Sequence, residues 1–429
     1  MRISFPYPQV PSVDISERNL LGIFSPSVLK IDEAEEEIIE RAFLKPIGSN
    51  PLTQILKGCK NVLIVVDDYT RTTPVQKILP RLMKELDDSG IKKPGIKIMV
   101  ALGTHRPMTD KEMVLKFGSE LPKQYPILNH QWSNLSQLIN LGETERGTPI
   151  LVNRMVAEVD FIIGIGQIVP HRVTGFSGGG NIIQPGICGE ETTGKTHWLG
   201  AQFTGREILG KIENPVKEEI ERVAEKVGLR WIINTIQDGA GRLVEVVAGD
   251  PFQAYRKGGK KSLEIYQSSM PQDADIVIVD SHPYDSELWL ASKGIYASEL
   301  AIKQGGVVIL VSPCPEGISP SHPEVLEFGY QTFEDANQMV KKGIIKKLTA
   351  AAHLVHVGRV IKERAKGIMV SGGISKEQKE QLGLIHAEDP QEALEIAFSL
   401  SGGDSKVAVL QRGGEILPVV QKNCNQFKS

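Results

Sequence analysis

The sequence predicts two α/β domains with mostly parallel sheets and an active site in the cleft between them. Three observations carry this expectation. A chain of 429 residues exceeds the ~250 to 300 at which one hydrophobic core usually stops growing. Short β-branched runs alternate with helical patterns from Asn61 onward, as βαβ units and a parallel sheet require. A polar, Pro-containing stretch, Ser268-Ser269-Met270-Pro271-Gln272-Asp273, separates two such series, as a domain linker would. The division is therefore drawn as an N-terminal domain of residues 1–270 and a C-terminal domain of 271–429 that closes over the site.

The elements follow in order. Val62-Leu63-Ile64-Val65-Val66 reads as a buried strand, followed by a helix that opens at Pro74. That helix carries Val75, Ile78, Leu79, Leu82, Met83 and Leu86 at spacings of three and four and closes at Gly90. Pro80 inside it predicts a kink. Ile96 to Leu102 is a second strand, and Thr109-Asp110-Lys111-Glu112 fits a capping box. Phe161 to Gly166 is a third strand, and Asn214-Pro215 and Asp250-Pro251 each read as N-cap plus first helical residue. The second series has a strand Ile276 to Asp280, a helix from Leu288 to Ile302 and a strand Val307 to Val311. Residues 352–366 and 390–400 read as helices, with Gly367 ending the first before a short strand Ile368-Met369-Val370.

Composition narrows the function. With 49 Lys+Arg against 52 Asp+Glu the net charge is -3, no footprint for nucleic acid or an anionic membrane. The hydrophobic content of 41% and charged content of 24% are those of a soluble protein, and no apolar run approaches the ~20 residues that span a bilayer. The start, Met1-Arg2-Ile3-Ser4-Phe5-Pro6, lacks a signal-peptide core. Cys59, Cys188, Cys314 and Cys424 form no CxxC pair, which argues against a disulfide framework or structural zinc. A cytoplasmic protein with a small-molecule partner is expected.

In open α/β sheets ligands sit beyond the carboxyl ends of the strands, and four loops there are unusually rich. Asp67-Asp68-Tyr69-Thr70-Arg71-Thr72-Thr73 sets a carboxylate and a guanidinium three residues apart. Arg71 suits a two-pronged grip on a substrate carboxylate, although Asp68 and Thr73 also serve simply as helix-start acceptors. Gly103-Thr104-His105-Arg106 brings an imidazole able to take a hydroxyl proton; a lone histidine is more often a surface or packing residue. Pro170-His171 precedes Gly175-Phe176-Ser177-Gly178-Gly179-Gly180-Asn181, whose glycines allow backbone NH groups to converge on an anion or form a flexible turn. Asp280 to Ser286 leads into a helix carrying Trp289 and Lys293. Lys293 either offers a second positive charge across the cleft or is an ordinary solvated lysine.

Residues 189–196, Gly-Glu-Glu-Thr-Thr-Gly-Lys-Thr, match the phosphate-loop pattern G-x-x-x-x-G-K-[ST], with Asp280 as a candidate magnesium-side aspartate. The segment before it, Gln184-Pro185-Gly186-Ile187-Cys188, is too interrupted for the buried strand such a loop follows. Glu190 and Glu191 would also repel phosphate. A nucleotide-binding protein or NTPase is thus one alternative, and a non-catalytic binder of a sugar acid or nucleotide is another.

Taken together, Asp68-x-x-Arg71, Gly103-Thr104-His105-Arg106, Pro170-His171 with the following Gly-Phe-Ser-Gly-Gly, and His197 resemble the nickel-dependent lactate racemase family across both domains. The resemblance implies a racemase or epimerase of a 2-hydroxy acid that moves a hydride reversibly at C2. The implied cofactor is a nickel pincer nucleotide, nickel-pyridinium-3,5-bisthiocarboxylic acid mononucleotide, with His197 as the protein's nickel ligand, a donor that suits Ni(II). By the same resemblance His105 and His171 are the acid/base pair, and Arg71, Lys293 and Asp68 bind substrate. Ser177, Gly178, Gly179, Asn181, Asp68 and Thr70 hold the cofactor. Cofactor-making and nickel-insertion proteins are implied partners. One departure stands out. The family's lactate racemase has a lysine tethered to the cofactor where this chain has Asn181, so non-covalent binding is expected; the nearest downstream amine in the motif region is Lys195.

Overall fold

The computed structural model describes residues 1–421. Its first six-stranded sheet runs Leu243–Gly249, Leu229–Gln237, Phe161–Gln167, Val62–Asp67, Ile96–Ala101, Ile127–Asn129. All neighbours are parallel except the Leu243–Gly249 edge, a hairpin partner of Leu229–Gln237. Val62–Asp67 is buried at every position, as expected of a central strand covered on both faces. Helix Val75–Asp88 turns Val75, Ile78, Leu79, Leu82 and Leu86 inward and continues through Pro80, which lies on its exposed side. Thr109 and Glu112 form the reciprocal capping box, and Asn214 and Asp250 cap the helices Pro215–Val227 and Pro251–Tyr266.

The second sheet is fully parallel, in the order Leu384–Ala387, Ala365–Val370, Ile302–Val311, Ala274–Asp280, Val407–Leu410, Leu20–Phe24. Its last strand comes from the N-terminus. The division at 270 therefore does not follow the sheets: Leu20–Phe24 completes an edge that Val407–Leu410 would otherwise leave unpaired. Five apolar residues with no strand-helix pattern around them gave no sign of a remote partner.

Two helix ends move. The helix from Leu288 stops at Ser298, and Ile302 already belongs to the following strand. The helix expected at 352–366 spans Leu348–Ile361, and Gly367 lies inside the strand Ala365–Val370. There it is not a cap: a Cβ on Gly367 would come within 2.6 Å of Leu384 and 3.0 Å of Ile361, so close packing requires the glycine. Cys59, Cys188 and Cys314 are free thiols, and Cys424 lies outside the described residues. Among the described residues no helix is long and apolar enough to cross a membrane.

Candidate active site

The turn after Val62–Asp67 is held from below by Lys116, whose ammonium bonds Asp67 at 2.6 Å and the carbonyls of Asp68 and Arg71 at 3.0 and 2.9 Å. Asp68 is thereby fixed with 3% of its surface exposed. Its Oδ1 accepts from the amide and hydroxyl of Thr70 at 3.1 and 2.6 Å, and its Oδ2 meets His105 Nδ1 at 2.6 Å. Burial pushes this carboxyl up, but His105, Arg71 and Thr70 outweigh it and bring it down to about 2. An ionised Asp68 accepts, so His105 Nδ1 donates and Nε2 is left free of it.

Arg71 donates to Thr70 at 2.9 and 3.2 Å and stands 5.5 Å from the ring centre of Tyr284. Across the cleft Lys293 lies 3.3 Å from the same ring centre. Its ammonium has no hydrogen bond or ion pair among the described residues. Burial, then the charge of Arg71, pushes Lys293 well below the ordinary lysine range. Asp68 and Glu415 act on both cations from a distance, but neither closes a salt bridge with Arg71 or Lys293, so an anion placed between the two would be stabilised. The two sides are also joined directly, because Arg106 bonds Glu112 at 2.8 Å on one side and Glu316 at 2.9 Å on the other.

His171 follows the third strand and accepts from the Val173 amide at 3.3 Å through Nδ1. Burial, then Lys293 and Arg71, holds it well below the usual histidine value, so the ring is neutral. The glycine loop beyond it turns inward more than expected. Ser177 lines the cavity, yet its hydroxyl donates to Gln167 O at 2.7 Å and accepts from Val169 N at 3.1 Å. Gly179 does not line the cavity; its amide donates to Asn234 at 2.8 Å. A Cβ on Gly179 would press the Tyr255 ring at 3.0 Å, and one on Gly180 would meet Ala224 at 3.1 Å. The run of glycines is thus explained in part by packing. Asn181 does face the cavity, with its carbonyl oxygen bonded by buried Lys217. Burial brings that lysine down to about 7. Lys217, rather than Lys195, is the amine at Asn181, for Lys195 is exposed on its helix.

The phosphate-loop match is a helix. Glu190–Ala201 starts directly after Gly189, and Gly194, Lys195 and Thr196 sit within its turns. Gly194 is there because a Cβ would come within 3.0 Å of Leu348. With its backbone NH groups bonded along the helix, this segment cannot wrap phosphates. Asp280 is occupied too: it accepts from the amides of His282, Arg412 and Gly413 at 3.0, 3.1 and 3.3 Å. The nucleotide alternative falls on both counts. The same helix presents His197, whose Nδ1 donates to Thr193 O at 2.9 Å. Burial brings this imidazole down to about 4, so it is neutral with Nε2 open, the state in which histidine ligates metal. Among the described residues no group of three His, Cys, Asp or Glu is placed to hold a metal ion.

Asp68, Thr70, Arg71, His105, His171, Ser177, Gly178, Asn181, His197 and Lys293 all line one cavity. Several lining residues were not singled out from the sequence: Gln167, Arg172, Asn234, Tyr296, His353 and His356. His353-x-x-His356 lay in plain view within an otherwise apolar helical run, where two imidazoles on one face were the available signal.

Comparison with known proteins places this architecture. The lactate racemase N-terminal domain family matches residues 9–206 and the lactate racemase C-terminal domain family matches 269–417. The lactate racemase of Thermoanaerobacterium thermosaccharolyticum is 29% identical over 416 residues, 94% of this chain and 96% of that one. That of Lactiplantibacillus plantarum is 31% identical over 288 residues, 66% and 67% of the two chains. The structure of the T. thermosaccharolyticum lactate racemase apoprotein aligns with a TM-score of 0.86, covering 97% of this chain and 100% of that one at 29% identity. A Thermotoga maritima protein shares the fold at a TM-score of 0.73 and 24% identity, covering 92% of this chain and 100% of its own. The match extends over both sheets and the cleft between them, and it identifies the chain as an isomerase, a racemase belonging to the lactate racemase family.

Proposed function

We propose that this racemase inverts C2 of a 2-hydroxy acid by reversible hydride transfer, using a nickel pincer nucleotide. The observation that carries the reading is the pairing, in one cavity, of two differently held imidazoles with two cations, Arg71 and Lys293, neither of which closes a salt bridge among the described residues.

The residues fit the cofactor in a specific way. His197 offers one open nitrogen with its tautomer set by Thr193, and no second or third protein ligand accompanies it. That is the donor set for a metal that arrives with its other ligands attached, and not for a bare ion. Asn181 has no amine to form a tether, so the group would be held by His197 and by the polar groups around Asp68, Thr70 and Asn181. When bound, the group supplies an acceptor and donor for the C2 hydride.

The remaining work falls to side chains. Arg71 and Lys293 hold the carboxylate, and an anion there restores the charge that burial suppresses on Lys293. His105 Nε2, with its lone pair outward, takes the hydroxyl proton as the planar 2-oxo acid forms. His171, whose Nδ1 is engaged by Val173, presents a proton on Nε2. Burial, then Lys293 and Arg71, holds His171 neutral, and a bound carboxylate offsets those two charges. His171 would then take up a second proton as imidazolium and return it when the hydride comes back to the other face; the reverse direction starts with the two protonation states exchanged. Domain closure over the substrate excludes water from this exchange.

The test uses the nickel-loaded protein and lactate deuterated at C2 in ordinary water. Inversion with the label retained is expected. Inversion accompanied by loss of the label to solvent would replace hydride transfer with a carbanion route. Lactate serves because the relatives named above are lactate racemases.

A further inference from the structure

The helix Leu348–Ile361 packs on the helix that bears His197, and it turns His353 and His356 into the cavity. Three residues apart, the two rings share one helix face. His356 is 2% exposed, and neither of its ring nitrogens has a hydrogen-bond partner among the described residues. His353 is 4% exposed and meets the Tyr296 hydroxyl at 2.9 Å through Nδ1, while its Nε2 has no partner. Buried polar atoms are nearly always paired. Three unpaired imidazole nitrogens on one cavity wall therefore point to a ligand that brings the missing partners.

The chemistry of that ligand follows from the state of the rings. The Tyr296 phenol is kept protonated by burial, so it donates to His353 and fixes the ring with its proton on Nε2. Burial also keeps His353 and His356 neutral. The wall thus offers a donor from His353 and both a donor and an acceptor from His356. Arg172 lies nearby, but it faces Glu299 at 3.9 Å and donates to Phe203 O at 2.8 Å. Glu299 offsets the Arg172 charge, while the guanidinium Nε and Nη1 have no hydrogen-bond partner among the described residues and add donors to the same wall. Hydroxyl groups both donate and accept, and they match neutral imidazoles. The cations Arg71 and Lys293 gather instead at Tyr284. Trp289, stacked on His353 with ring centres 3.9 Å apart, keeps that ring in place.

We propose that His353 and His356 form a subsite for the hydroxyl-bearing tail of a polyhydroxylated 2-hydroxy acid, which makes the substrate an aldonic acid rather than a short apolar one. The inference rests on the 2-hydroxy-acid reading above.

The experiment compares D-gluconate, L-lactate and L-malate as probes of the nickel-loaded protein, by inversion at C2 and by calorimetric binding. Gluconate is expected to exceed both others in kcat/KM by at least about tenfold, as befits a site built to hydrogen-bond hydroxyls. His356→Leu should lower kcat/KM for gluconate at least about tenfold more than for lactate, and His356→Gln, which keeps a donor and an acceptor, should recover most of it. Nickel content should not change in either variant. Preference for lactate or malate, an equal loss for all acids in His356→Leu, or loss of nickel from that variant would each overturn the subsite. Failure to invert any acid would sink the racemisation reading by itself, and calorimetry then decides the subsite. Gluconate binding that weakens in His356→Leu sustains it, and absence of binding ends it.

Discussion

The two walls of the cavity are built on opposite plans. On the first sheet's side each group is held by a partner: Asp68 by His105 and Thr70, the turn itself by Lys116, His171 by Val173. On the second sheet's side His353 and His356 keep ring nitrogens unpaired in the interior, and Lys293 meets only the face of the Tyr284 ring. The first wall is organised before anything binds, as acid/base chemistry requires. The second wall bears a standing energetic cost that a substrate relieves. On the proposed function, positioning would fall to the first sheet's side and recognition to the second.

The sharpest way to separate the walls is His197→Ala, because its helix bridges them. Nickel retention should be lost with the fold intact, as read by metal analysis and circular dichroism; retention at the unmodified stoichiometry would remove His197 from the site. Denaturing mass spectrometry of the loaded, unmodified chain should show no cofactor-sized adduct, since Asn181 offers no amine. An adduct would direct attention to Lys217.

His105→Ala and His171→Ala test the first wall. Each should lower kcat at least ~100-fold, the usual effect of losing a general acid or base. A loss confined to KM would make them binding residues instead.

Lys293→Met tests the second wall and should have two opposite effects. Without substrate the protein should gain stability, on the order of 1 kcal/mol, because an amine that burial keeps from its charged form is replaced by an apolar chain of similar length. Meanwhile KM for the hydroxy acid should rise about tenfold or more, as expected when a charge-assisted contact of ~1.5 to 3 kcal/mol is lost. A melting point that falls would show that the ammonium is already satisfied.

The smallest effect concerns acid stability. Asp68 is held at about 2, below the ~4 of an unfolded aspartate. Its depressed value contributes stability that is fully present above pH ~4 and is lost as pH falls toward 2. The contribution is on the order of 2 to 3 kcal/mol. Asp68→Asn should flatten the unfolding curve over that window. An unaltered slope below pH 4 would mean that the carboxylate is not held in this way.

The first wall was legible in the sequence because its residues sit in loops directly after apolar strands, where position alone suggests function. The capping box at Thr109 and the Asn-Pro and Asp-Pro caps were legible for the same local reason. His353 and His356 were not, since inside an amphipathic run a histidine reads as packing, and only the tertiary fold shows that it reaches a cavity. The phosphate-loop motif misled in the other direction. Its glycine serves helix packing against Leu348, a purpose the spacing cannot reveal. Leu20–Phe24 likewise pairs with residues almost four hundred positions away, beyond the reach of any local pattern.

That N-terminal strand has a mechanical consequence. The chain enters the second sheet at Leu20, leaves it for the first at Phe24, and returns before Ala274. The halves are therefore joined by two covalent straps, like a door on a pair of hinges. Two straps restrict how the halves can move against each other more than one linker would. It also means that residues 271–429 expressed alone would expose Val407–Leu410 as a bare, wholly apolar edge, a template for aggregation. Adding residues 1–24 back as a separate peptide would cover it.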